Sequence, residues 1–130
     1  MSLRAHQYRK PTVYFTEDDH ERLSNLADVN HTRGARLLAE ELERAVVVDP
    51  EKTKPFVRLH SRVSFTDLTS GRTRSVEVVP PDEADIDQDR LSVLTPVGAA
   101  LIGLPAGESI GVQTDDGRAR VLVVVDVSLP

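Results

Sequence analysis

Three sets of residues in this chain have types and spacings that could do chemistry. The first is Glu17-Asp18-Asp19, consecutive carboxylates able in principle to hold a metal or exchange protons. They follow Thr16, whose hydroxyl can accept a hydrogen bond from the N–H three residues on, and acids in a first turn complement the positive end of a helix dipole. Helix-start chemistry accounts for them, with catalytic or metal-binding carboxylates as the alternative. The second set, Asp85, Asp87 and Asp89, alternates like the opening of an EF-hand loop. Position six would be Arg90 where glycine is needed, and position twelve Pro96 where a bidentate glutamate is needed. That motif fails, leaving a solvated acidic loop. The third set is the histidines His6, His20, His31 and His60, which show no HExxH or paired ligand spacing and are expected at the surface.

Other reactive arrangements are missing too. Gly103, Gly107 and Gly111 come after a helix rather than before it, so they cannot form a phosphate-cradling loop. There is no GxSxG elbow, and Ser61 and Ser92 have no evident base partner. No catalytic residue, metal site or cofactor is expected, and nothing forces an enzyme reading.

The elements that would position any site centre on Leu91 to Val112, LSVLTPVGAALIGLPAGESIGV. Thr95 is a good N-cap, Pro96 suits the first helical position, and Gly103 followed by Pro105 ends the helix. A helix of about two turns is unstable alone and needs a sheet to pack on. Leu91, Val93 and Leu94 before it, and Ile110 and Val112 after it, supply one. Upstream, Thr12 to Phe15 is β-prone, as an edge strand or the entry into a helix. Thr16 then starts a helix carrying Leu23, Leu26 and Ala27. The polar segment Asp28 to Gly34 interrupts it, and a second helix is expected to Val47 with Glu40 and Arg44 as an i,i+4 pair. Two helices with a short connection predict an antiparallel hairpin. From Val57 the period becomes two: Val57, Leu59, Val63 and Phe65, a turn at Ser70-Gly71, then Val76 and Val78 predict a β-hairpin closed by Pro80-Pro81. After the turn Asp115-Asp116-Gly117, Val121 to Val127 is apolar on both faces, which predicts a central, covered strand.

The 130 residues, 39% hydrophobic, suffice for one modest core, and the absence of cysteine rules out disulfides and thiolate metal sites. The basic leader Met1 to Pro11 is not followed by an apolar segment, and no run is long enough to cross a membrane. A soluble, cytoplasmic protein without a membrane partner is expected. The net charge is −5, and neither the part up to Lys54 nor the part beyond it is a basic module. Direct sequence-specific reading of nucleic acid is therefore not expected.

The run Thr95, Pro96, Gly98, Ala100, Leu101, Gly103 and Gly107 resembles the C-terminal signature of the Gre-type transcript cleavage factors, with Glu108 where many relatives carry Asp. Within that superfamily the chain is more similar to the Rnk-like branch, the regulators of nucleoside diphosphate kinase. The shared features are a short helical hairpin, Ser61-Arg62-Val63-x-Phe65, and the run from Leu91 to Leu104. The resemblance spans roughly Lys10 to Val127. It implies an α+β protein: residues 1–54 a leader and an antiparallel helical hairpin forming a short coiled coil, and 55–130 an FKBP-like antiparallel sheet domain with one short helix. It further implies docking on bacterial RNA polymerase, for which Val97, Leu101, Leu104 and Pro105 around the short helix are chosen; the alternative is that they are core or turn residues.

Two departures bear on activity. In the cleavage factors a long hairpin reaches the catalytic centre and acids at its tip help hold magnesium. Here each helix is about 10 to 15 residues, so the arm is roughly 20 Å by the 1.5 Å rise. The tip, with Asp28, Val29, Asn30, His31 and Arg33, offers one acid where metal positioning asks for paired carboxylates. Transcript cleavage is expected to be absent. An FKBP-like fold raises prolyl isomerisation, but Tyr8, Tyr14, Phe15, Phe56 and Phe65 are too few and too scattered for an aromatic-lined pocket. The expectation is a non-enzymatic polymerase-binding regulator of transcription; the alternatives are direct action on nucleoside diphosphate kinase or nucleotide metabolism, and a weak isomerase.

Overall fold

The computed structural model describes residues 10–130; His6, Tyr8 and the leader up to residue 9 lie outside the described residues. The chain enters through β1 (Tyr14–Phe15), forms helices α1 (Glu17–Val29) and α2 (Arg33–Glu43), and returns through β2 (Val46–Val47), which pairs in parallel with β1. Both helix starts are capped as their sequences require. Thr16 Oγ1 accepts from the Asp19 N–H and Thr32 Oγ1 from the Ala35 N–H, each at 3.1 Å. Asp19 does not close a capping box back onto Thr16. Its carboxylate instead accepts from the Leu59 N–H at 3.1 Å and ties the helix start to the β-rich part of the chain.

The second helix stops at Glu43, short of the expected Val47. The Val46 N–H donates to the Val13 carbonyl and the Val48 N–H to the Phe15 carbonyl, both at 2.9 Å, so this β-branched run becomes a strand. The expected Glu40–Arg44 pair is also replaced. Arg44 bonds Glu41 at 2.5 Å, because Glu41 points inward with only 3% exposure and a buried carboxylate needs a partner.

Beyond Pro55 come β3 (Arg62–Asp67), β4 (Arg72–Val79), β5 (Arg90–Ser92), α3 (Pro96–Leu101), β6 (Ser109–Gln113) and β7 (Ala119–Val127). The sheet runs β5-β4-β3-β7-β6. Its pairs are antiparallel except β4 with β5, which is parallel and corrects the wholly antiparallel expectation. Val57 and Leu59 are buried but lie outside the ladder. A tight turn intervenes, in which the Ser61 N–H reaches the Arg58 carbonyl and the Arg58 N–H reaches Ser61 Oγ, both at 2.9 Å.

Strand β7 is central in pairing but covered on one face only: Leu122 and Val124 are buried, while Val121 is 43% and Val125 56% exposed. A bulge explains the miscount. The register passes from Ser64 opposite Asp126 to Phe65 opposite Val124, which leaves Val125 unpaired and turns Val127 inward with the even-numbered residues.

One apolar cluster joins Leu23, Leu38 and Leu42 of the helices, Val63, Phe65, Val76, Val78, Leu122 and Val124 of the sheet, and Ala99, Ala100 and Leu101 of α3. Packing on that cluster is what holds a helix of six residues.

Candidate functional site

From β5 to β6 the helix and its caps form as the sequence requires, while β5 ends at Ser92 and the expected strand residues Val93 and Leu94 lie in the turn before Thr95. Thr95 Oγ1 accepts from the Gly98 N–H at 3.0 Å and its hydroxyl donates to the Ser92 carbonyl at 2.8 Å, while Pro96 occupies the first turn. Gly103 takes φ +84°, which ends the helix, and its carbonyl accepts from the Tyr14 N–H at 2.9 Å.

The four docking residues chosen from sequence separate into two kinds. Leu101 and Leu104 are fully buried and support the surface from beneath. Val97 and Pro105 are half-buried and line different depressions. Pro105 borders a hollow of about 370 Å³ with Tyr14, Thr53, Lys54 and Glu108. Val97 borders an open groove of about 680 Å³ at the end of the sheet where β3 meets β4 and β6 meets β7.

The hairpin tip is docked rather than free. Asp28, Val29 and His31 are exposed, with Val29 at 73%. The Asn30 amide donates to the Leu26 carbonyl at 2.8 Å and finishes α1. The Arg33 guanidinium donates to the carbonyls of Thr114 at 3.1 Å and Gln113 at 2.5 Å, and lies 3.8 Å from the Asp115 carboxylate. One residue on, Gly34 lies so close to the Leu94–Thr95 backbone that no side chain fits between them. The helical layer is thus pinned to the β6–β7 turn at its tip and to Leu59 at its start.

The groove beside Val97 is where charge concentrates. Arg72 and Arg74 on β4, Arg118 in the turn before β7 and Arg120 at the start of β7 line it together with Asp67 and Asp116. Arg120 is committed to those carboxylates, 2.7 Å from Asp67 and 3.4 Å from Asp116, and both contacts raise its already high pKa. Burial works against ionisation of Asp67, but the Thr69 N–H and Arg120 outweigh it and hold its pKa below the ordinary value. Asp116 is held at about 2 by the Thr114 hydroxyl first, then by the Arg118 N–H and Arg120. Arg118 lies 4.0 Å from Asp116, and among the described residues neither Arg72 nor Arg74 pairs with a carboxylate.

Sequence reasoning missed this groove because it weighed charge over whole halves of the chain. The available signal was the repeated Arg-x-Arg at 72/74 and 118/120, since i and i+2 on a strand share a face. The predicted acidic loop is exposed from Asp82 to Asp89, as a solvated loop should be. His20 Nε2 lies 3.2 Å from the Leu42 carbonyl, and His60 Nε2 is 2.9 Å from Glu83. No group of three or more His, Asp or Glu able to hold a metal occurs among the described residues.

Comparison with known proteins gives a consistent result over nearly the whole chain. The family described as transcription elongation factor GreA/GreB, C-terminal, matches residues 52–129, and the Rnk N-terminus matches 11–48. The chain is similar to the regulator of nucleoside diphosphate kinase of Escherichia coli (strain K12), 35% identical over 122 residues that cover 91% of this chain and 90% of that protein. It is 35% identical over 77 residues to the transcription elongation factor GreA of Thermodesulfovibrio yellowstonii, covering 58% of this chain and 49% of that one. Among solved structures it resembles a prokaryotic transcription elongation factor GreA/GreB from Nitrosomonas europaea, with TM-score 0.73, 34% identity, and 92% of this chain and all (100%) of that chain covered. Thermus aquaticus Gfh1, at 22% identity and TM-score 0.52 over 91% of this chain and 99% of that one, shares the fold.

Proposed function

The chain belongs to the GreA/GreB transcription elongation factor family, in its Rnk branch, and from that premise we propose that it is a regulator that binds bacterial RNA polymerase without cleaving the transcript. The observation that carries this reading is the match of residues 52–129 to the GreA/GreB C-terminal family. Residues 55–130 act as the docking unit, an FKBP-like sheet curled on α3. Residues 1–54 contribute the leader and the hairpin, a short coiled coil.

Two features of the hairpin argue against cleavage. Its helices have 13 and 11 residues, so the longer is about 20 Å at 1.5 Å per residue. Its tip offers one carboxylate, Asp28, and the neighbouring Arg33 is spent on holding the β6–β7 turn. The docking surface comprises Val97 and Pro105 with the turns on either side of α3, and Leu101 and Leu104 act by keeping that surface in shape. Phe56 and Phe65 are only 3% exposed, so among the described residues these two rings do not line a pocket of the kind an isomerase uses.

Pull-down of core RNA polymerase by the full chain, with competition against a Gre factor, tests the reading. Binding that the Gre factor displaces is the expected result; no binding overturns it. Magnesium-dependent shortening of RNA in a stalled complex would overturn the claim that cleavage is lost. Purified nucleoside diphosphate kinase should keep its activity when the chain is added, since any effect on that enzyme then runs through transcription.

A further inference from the structure

We infer that the arginine-lined groove beside Val97 is a docking site for an acidic segment of the protein partner. This rests on the polymerase reading above and names the chemistry of the surface that the polymerase must present. The groove draws its charge from two turns far apart in sequence, Arg72 and Arg74 beside the β3–β4 turn and Arg118 beside the β6–β7 turn. All three are exposed, and Arg72 and Arg74 have no carboxylate partner among the described residues. In a chain of net charge −5, exposed arginines collected on one face stand out against the rest of the surface.

The arrangement suits a peptide better than a compact anion. Asp67 and Asp116 sit among the arginines and stay ionised, the latter with a pKa of about 2, so a phosphate placed at the centre would meet two like charges. Separate carboxylates on an extended or helical segment can instead address Arg72, Arg74 and Arg118 individually. Half-buried Val97 adds one apolar edge against which a non-polar side chain of the segment can lie, while Leu122 sits buried beneath the groove floor. The Arg120–Asp67 pair at 2.7 Å fixes the position of the groove wall and is not itself available to a ligand.

The acidic loop Asp82 to Asp89 follows the far end of β4 from Arg72, so this chain cannot fill its own groove with that loop. A second copy could present it, which makes self-association the competing occupant.

The test is fluorescence anisotropy of the labelled full chain with core RNA polymerase at low and high salt. It compares wild type with R72Q/R74Q, with R118Q, and with R62Q as an exposed control outside the groove. Thermal melts confirm that each variant is folded. Exposed charge pairs each contribute up to a few-fold, so R72Q/R74Q combined with R118Q should bind about tenfold more weakly at low salt and lose most of the salt dependence. The R72K/R74K variant, which keeps the charge, should retain most of the affinity. Wild-type binding that the groove variants leave unchanged overturns this inference and leaves the polymerase reading intact, whereas absence of wild-type binding overturns both. Wild-type self-association that the same variants abolish assigns the groove to a second copy and overturns the inference. So does displacement of the polymerase by inorganic pyrophosphate beyond the effect of sodium chloride at equal ionic strength.

Discussion

Replacing Gly34 with alanine separates two physical effects that predict opposite outcomes. On helix propensity alone, alanine in the first turn of α2 should stabilise the protein by roughly 0.5–1 kcal/mol. The tertiary structure predicts the reverse. A Cβ on Gly34 would lie 1.5 Å from the Leu94 carbonyl oxygen and 2.5 Å from its carbon. Both obstacles are backbone. They belong to a segment held by the Leu94 N–H bond to Ser92 Oγ at 3.0 Å and by the Thr95 cap, so neither can swing aside as a side-chain end could. Restoring a contact of about 3.3 Å requires α2 to recede by roughly 1.8 Å. A gap half that size already forfeits a quarter to a half of the dispersion energy of the facing atoms. With overpacking at about 3 kcal/mol and the propensity gain subtracted, the net loss is about 2 kcal/mol. For a chain of this size that lowers Tm by roughly 8 °C. Urea unfolding followed by circular dichroism should show a lower midpoint with the slope unchanged. A G34A protein as stable as wild type, or more so, would refute the reasoning and show that the helical layer floats on α3 instead of being pressed against it.

Two other perturbations test the site's supports. Thr95→Ala removes both the acceptor for the Gly98 N–H and the donor to the Ser92 carbonyl, and should cost about 1–2 kcal/mol in urea unfolding, with Thr95→Ser recovering most of it. The Asp116 carboxyl, ordinarily near 3.8, is held at about 2, so its contribution to stability is present above about pH 4 and lost as pH falls toward 2. Thermal melts across that window should fall less steeply for Asp116→Asn than for wild type; parallel curves would show that the Thr114 and Arg120 contacts do not favour the ionised form.

The capped helix and the turn after it within Leu91 to Val112 were legible because their signals are local, although the strand before them ends at Ser92 and leaves Val93 and Leu94 in a turn. A hydroxyl cap, a proline in the first turn and a glycine able to take φ +84° act within a few residues of one another. The same holds for the Thr16 cap and for the Ser70-Gly71 turn, where β3 hands over to β4. Errors began where a distant partner decided the outcome. Val46 and Val47 continue a helical apolar pattern, yet the backbone of Val13 and Phe15 was waiting beside them and took them as a strand. Arg44 had an acid four residues before it on the surface, but the inward-facing Glu41 had the greater need of a cation.

The site divides along the same line. The sequence by itself determined the family, the capped α3 module and the poverty of carboxylates at the hairpin tip, because residue identity and short spacing are sufficient for each. Only the tertiary structure decided that Leu101 and Leu104 lie beneath the surface, and that Arg33 clasps the carbonyls of Gln113 and Thr114. It also decided that two Arg-x-Arg pairs more than forty residues apart meet in one groove. Burial and electrostatic fields depend on distances in space, and the pairing of β3 with both β4 and β7 brings those two turns to the same end of the sheet.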